Sequence, residues 1–234
     1  MAEITLTLPA GRCGAYLAEP AGRPWPGLVL IQEIFGVEAV MRRTADFFAA
    51  QGYGVLVPDL FWRLAPGVQL DPTVPADLAR AFELYQALDV DAALGDLEVA
   101  IEALAGRPGC SGIVGTVGFC LGGYLAYRMA GRPAGACHVS YYGVGIENHL
   151  PPQMTFQSPL LMHIAAQDQF VPLAAQAAIG TALDPEPLVT MHTYPGVDHA
   201  FARLGSPAYV PAAAELALAR TLEFLSAHLT KTEG

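Results

Sequence analysis

Gly118-Phe119-Cys120-Leu121-Gly122-Gly123 lies between an apolar run at 112–119 and a helix-like run at 121–131. Strand, glycine-flanked nucleophile and helix in that order form a nucleophile elbow, here with cysteine where serine is usual. A nucleophile on so sharp a turn sits in a strained backbone conformation. Residues two positions away must then lack side chains to avoid collision. The Leu121 N–H falls at the helix N-terminus, where it can donate to an oxyanion and favour a thiolate. The bland alternative is a buried structural cysteine beside a tight turn.

Working outward, the pattern is one of alternating strands and helices. Residues 3–8 and 14–18 read as two opening antiparallel strands, and 27–32 is a continuous apolar run suited to burial on both faces. A helix at 38–51, a strand at 53–57 and an irregular proline-rich loop at 59–74 follow. Helices are expected at 75–88 and 91–106. Beyond the elbow come strands at 134–142, 159–166 and 188–194, with helices at 172–182 and 207–228. This alternation predicts an α/β fold: a mostly parallel sheet with helices on both faces, as a single domain over 1–234. Sites in such sheets form at the carboxyl ends of strands.

The residues after the elbow supply the partners a cysteine nucleophile needs. Asp168 follows the 159–166 strand, and His199 lies in the loop between the last strand and the last helix. Nucleophile, acid and histidine thus fall in the chain order of an α/β-hydrolase. The imidazole accepts the thiol proton, and the carboxylate fixes the imidazole tautomer. Asp198 is the rival acid, but as the neighbour of His199 it cannot easily reach Nδ1. His138 and His163 are expected to be packed inside strands. His149, His192 and His228 are expected at the surface.

Composition excludes several other classes. The chain carries a formal net charge of −10 and no cluster of basic residues, so no nucleic-acid partner is expected. No run approaches the roughly 18 apolar residues of a membrane helix. The N-terminus reads as a strand rather than a signal peptide. The four cysteines match no metal or redox spacing and are read as thiols in a cytoplasmic protein. Neither a cofactor nor a metal is expected, and the protein is expected to be a monomer.

Five stretches give the chain a close resemblance to the dienelactone hydrolase family (carboxymethylenebutenolidases). They are Gln32-Glu33-Ile34-Phe35-Gly36, Val57-Pro58-Asp59-Leu60, Gly118 to Gly123, Tyr141-Tyr142-Gly143-Val144-Gly145 and His199-Ala200-Phe201-Ala202-Arg203. The resemblance spans nearly the whole chain. It implies an α/β-hydrolase fold and hydrolysis of dienelactone to maleylacetate through a cysteine acyl-enzyme. It also implies that Glu33 lies near Cys120, holds the resting thiol neutral and takes its proton when substrate binds. The bottom-up reading agrees, because a carboxylate ending a buried strand is costly unless it has a task. The Ile34 N–H is implied as the second oxyanion donor.

The family holds its substrate carboxylate with two arginines and a tyrosine. Arg203 matches one arginine. An ungapped alignment from Leu70 to Asp89 places Leu78 and Phe82 at the other two positions. Arg80 is close in sequence, but two residues turn a helix by about 200°. Tyr142 and Trp62 complete the expected substrate-binding set. The expected partner is a small ester or lactone. The alternatives are the same machinery acting on a less acidic ester, or a non-catalytic thiol redox or binding protein on this fold.

Overall fold

The computed structural model describes residues 1–230. Strands β1 (Ala2–Leu8), β2 (Gly11–Ala18), β3 (Trp25–Ile31), β4 (Gly54–Pro58) and β5 (Cys110–Phe119) precede β6 (His138–Tyr141), β7 (Leu160–Ala165) and β8 (Val189–Tyr194). The helices are α1 (Ala39–Ala50), α2 (Pro75–Ala87), α3 (Val90–Ala105), α4 (Leu121–Met129), α5 (Leu173–Leu183) and α6 (Pro211–Leu229). The strands are ordered β1-β2-β4-β3-β5-β6-β7-β8 in one sheet. Pairings β3–β4, β6–β7 and β7–β8 are parallel, and β1–β2 and β2–β4 are antiparallel. The mostly parallel α/β sheet expected from the sequence is therefore present.

The chain falls into two compact units, Met1–Thr116 and Val117–Thr230, with the boundary inside β5. The single domain read from the sequence extends to residue 234, and 231–234 lie outside the described residues.

In the first unit the apolar strands form the core. Leu28 through Ile31 of β3 and Val55 through Val57 of β4 have no exposed surface. Helix α1 packs on β4 and β2, and α3 packs on β3 and β4. Both helices start on an acidic cap, which satisfies N–H groups that have no partner within the helix. Glu38 accepts from Val40 N and Met41 N, and Asp89 accepts from Ala92 N at 3.0 Å.

The second unit is built on β6, β7 and β8, with α4 packed on β6 and α6 on β7. Its interior carries a polar network. His163 Nδ1 is 2.8 Å from Tyr194 Oη, and its Nε2 is 2.9 Å from Thr221 Oγ1, which also meets Tyr141 Oη at 2.7 Å. Burial drives both His138 and His163 down to about 3, so they are neutral at physiological pH.

Most boundaries shift by one to three residues, and two differ by four. The strand expected from residue 134 begins only at His138, because Gly135 adopts φ 90° and turns the chain. The helix expected from 207 begins at Pro211, and Val210 before it is extended at φ −119°, ψ 103°. A proline disfavours helical backbone in the preceding residue.

Candidate active site

Cys120 is the N-cap of α4 and has φ 56°, ψ −114°. A non-glycine residue at positive φ is held there by its surroundings. Here the backbone is tied on both sides: Cys120 N–H donates to Tyr141 O at 3.0 Å, and Tyr124 N–H donates to Cys120 O at 3.0 Å. The flanking glycines follow from the same crowding. A Cβ at Gly118 would stand 1.9 Å from Gly122 O, and one at Gly123 would stand 2.4 Å from Tyr141 O. Leu121 is the first residue of α4 and is buried, so its N–H belongs to the free N-terminal turn.

His199 and Asp168 meet in a buried hydrogen bond, Nδ1 to Oδ2 at 2.8 Å. The other Asp168 oxygen accepts from Phe170 N–H at 2.8 Å. The Cys120 thiol lies within hydrogen-bonding reach of the imidazole. Burial is the largest single influence on His199 and pulls its pKa down. The bonds to Asp168 and Cys120, with the charges of both, outweigh that pull and hold the imidazolium above its usual range. Asp198 serves elsewhere: its carboxylate accepts from Gln169 N at 2.9 Å, Gln169 Nε2 at 3.1 Å and His199 N at 2.6 Å.

Aromatic rings enclose the imidazole. Tyr142, itself at φ 38°, meets His199 edge-on at 5.0 Å, and Phe170 does so at 4.9 Å. Phe170 was not singled out from the sequence. The signal available was its position two residues after Asp168, where the carboxylate closes a local turn onto its N–H. Phe201 is fully buried behind Tyr142 at 5.6 Å. Arg203 is only 8% exposed, so it is a buried cation.

In the first unit, Glu33 and Ile34 come two and three residues after the end of β3 and are 3% and 6% exposed. Leu78 is half-buried on α2, and Phe82 on the same helix is 37% exposed. Arg80 is paired with Glu83 at 2.8 Å on the exposed side of that helix. Trp62 is engaged structurally. Its indole N–H donates to Asp96 Oδ2 at 2.9 Å, and the Arg63 guanidinium stacks 4.1 Å from its ring centroid.

The remaining histidines correct the sequence reading in part. His149 is half-buried, with Nδ1 3.1 Å from Tyr124 Oη, and His192 is half-buried within β8; neither is a simple surface residue. His228 is exposed. Among the described residues no group of three or more His, Cys, Asp or Glu is placed to hold a metal ion, and no helix is long and apolar enough to cross a membrane.

The sequence model of the dienelactone hydrolase family matches residues 13–229. The carboxymethylenebutenolidase of Pseudomonas putida is 43% identical over 213 residues, covering 91% of this chain and 90% of that protein. Carboxymethylenebutenolidase 1 of Cupriavidus pinatubonensis is 38% identical over 224 residues, covering 96% and 95%. Among solved structures, one from Klebsiella pneumoniae superposes with a TM-score of 0.82 at 24% identity, covering 96% of this chain and 97% of that one, which speaks for the fold alone.

Proposed function

This chain belongs to the dienelactone hydrolase family, and from that premise we propose that it opens small enol-lactones or esters through a Cys120 acyl-enzyme. It is a hydrolase of the dienelactone hydrolase type. The observation that carries the cysteine mechanism is the strained Cys120 at the N-terminus of α4, within reach of an imidazole that Asp168 orients at 2.8 Å.

The steps follow from these groups. The Cys120 thiol gives up its proton, and Sγ attacks the acyl carbon. An S–C bond forms and the carbonyl electron pair moves onto oxygen. The Leu121 and Ile34 N–H groups are the proposed donors to that oxyanion. Collapse breaks the acyl C–O bond and expels an enolate, whose delocalised charge makes it a better leaving group than an amide nitrogen. The enolate takes up the proton that the thiol gave to Glu33. His199 then takes a proton from water, hydroxide adds to the thioester, and the C–S bond breaks as His199 returns its proton to sulfur, restoring the thiol and releasing a carboxylic acid.

Glu33 is proposed to accept the thiol proton when substrate binds. Its burial at 3% exposure and its place in Gln32–Gly36 support that role, since a buried carboxylate is retained at a cost. Arg203 is the proposed partner of a substrate carboxylate. Leu78 and Phe82, apolar where the family carries an arginine and a tyrosine, favour a second reading in which uncharged esters or lactones are preferred. Tyr142, beside His199, is proposed to line the acyl site. The reading includes a monomer in a reducing cytoplasm, which suits four cysteines that are all thiols.

The test is hydrolysis of p-nitrophenyl acetate. Cys120→Ala is expected to lose on the order of 10³-fold or more of the activity. Iodoacetamide is expected to modify Cys120 before Cys13, Cys110 or Cys137, two of which, Cys13 and Cys137, are buried. Near-wild-type turnover by Cys120→Ala would refute the mechanism.

A further inference from the structure

We propose that Gln32 is a positioning residue that aims the Ile34 N–H at the oxyanion. The inference rests on the assignment of that N–H as an oxyanion donor, made above. The Glu33 carbonyl and the Ile34 N–H belong to one planar peptide unit and point in opposite directions from it. Whatever fixes the carbonyl therefore fixes the direction of the N–H.

The Gln32 side chain does this. It has no exposed surface, and its Nε2 donates to Glu33 O at 3.2 Å. Its Oε1 accepts from Leu60 N–H at 3.1 Å, so the amide bridges two backbone groups far apart in sequence. A fully buried amide is unfavourable unless both ends are satisfied, and an apolar side chain of similar length would fill the space without that cost. Both partners here are main chain, so the amide orients backbone.

The far end of the bridge has its own supports. Asp59 N–H donates to Gly14 O at 2.9 Å, and the Asp59 carboxylate accepts from Phe61 N at 3.0 Å and Gly67 N at 2.7 Å. Leu60 thus presents its N–H from a turn that has hydrogen bonds of its own. Downstream of Ile34 the same loop returns: Leu70 N–H donates to Phe35 O at 2.9 Å, and Gly36 pairs with Gln69. The chain from Glu33 to Gly36 is gripped at both ends by residues 59–70, and Gln32 supplies the grip nearest the proposed donor. A hydrogen bond weakens steeply once its angle opens, so a small rotation of this peptide would matter most when charge develops on the substrate oxygen.

The experiment compares Gln32→Met and Gln32→Glu with wild type in three measurements. These are acylation by p-nitrophenyl acetate, which builds an oxyanion; alkylation of Cys120 by iodoacetamide, which does not; and urea unfolding. Gln32→Met is expected to lose about 10-fold or more in acylation rate and kcat, part of the 10²–10³-fold that one oxyanion donor supplies. KM and the alkylation rate should stay within about twofold. Gln32→Glu keeps an acceptor for Leu60 N–H but can donate to Glu33 O only when protonated. Its acylation deficit should therefore shrink as the pH is lowered.

Wild-type acylation in folded Gln32→Met would overturn the inference. So would parallel losses of acylation and alkylation, which would assign Gln32 to the fold or to the thiol. Should Gln32→Met fail to fold, the pH dependence of Gln32→Glu decides, and a deficit that does not change with pH overturns the proposal. Cys120→Ala in the same assay separates the two levels. If it hydrolyses substrate, the cysteine mechanism fails; if it is inert while Gln32→Met acylates normally, only the positioning role fails.

Discussion

Asp168→Asn isolates what the buried carboxylate does for His199. The two side chains meet at 2.8 Å and are 1% and 8% exposed, so the bond is little screened by water. In the variant, Oδ1 can still accept from Phe170 N–H, and an NH₂ group then faces His199 Nδ1. Two donors cannot share that contact, so the imidazole must carry its hydrogen on Nε2 and loses the lone pair that takes the proton from water. A hydrogen bond to a charged partner contributes about 1.5–3 kcal/mol. At about 1.36 kcal/mol per pKa unit, the His199 titration should fall by about 1–2 units, because burial then acts with less opposition. The same energy lost from the transition state lowers kcat/KM by about 10- to 150-fold. The sign in stability is also fixed. A raised folded pKa stabilises fully below the unfolded value near 6.5 and is lost as pH rises through the folded value, so wild type should weaken on the alkaline side more than the variant. Ring-nitrogen NMR titration of His199, pH profiles of kcat/KM and urea melts on both proteins measure all three. An unmoved His199 titration in folded Asp168→Asn would refute the claim that this hydrogen bond holds the imidazolium.

Three further outcomes follow. Because burial holds His138 and His163 at about 3, the unfolded chain gains two protons that the folded one refuses; stability present above about pH 6.5 is lost as pH falls, by about 2 kcal/mol per histidine at pH 5, and urea midpoints that do not move between pH 7.5 and 5 would contradict it. Leu78→Arg with Phe82→Tyr should raise the ratio of kcat/KM for a carboxylated lactone over its methyl ester by at least about 10-fold, on the scale of one charged hydrogen bond, and a ratio strongly favouring the acid in wild type and unmoved by the substitutions would show that another cation binds the carboxylate. Gly118→Ala drives a Cβ to 1.9 Å from Gly122 O and should destabilise by about 3 kcal/mol or more while abolishing activity; soluble, active Gly118→Ala would mean that the turn is softer than its geometry indicates.

Much of this architecture was legible because local rules and burial agree. The runs forming β3 and β4 are apolar throughout, as strands buried on both faces must be, and the order of Cys120, Asp168 and His199 could be read from one loop to the next. What failed was set by single residues that override a pattern. Gly135 at φ 90° cuts off the start of β6, and Pro211 keeps Val210 out of α6. The histidines show a different limit. His149 looked like a surface residue because its partner, the Tyr124 hydroxyl, lies 25 residues away. Gln32 was legible only as part of a motif. Its task depends on Leu60, and no spacing rule connects a side-chain amide to a backbone group 28 residues downstream.

The elbow also separates the shape of the reactive centre from its chemistry. Cys120 is held by its own main chain, N–H to Tyr141 O and O to Tyr124 N–H, and by glycines whose necessity comes from backbone crowding. None of these supports touches the sulfur. The geometry of the turn is thus set by the main chain and not by the atom it carries, so a single base change from Cys to Ser alters the reagent without rebuilding the mount. Evolution can therefore explore new leaving groups on this frame one codon at a time, with the imidazole and its carboxylate left in place.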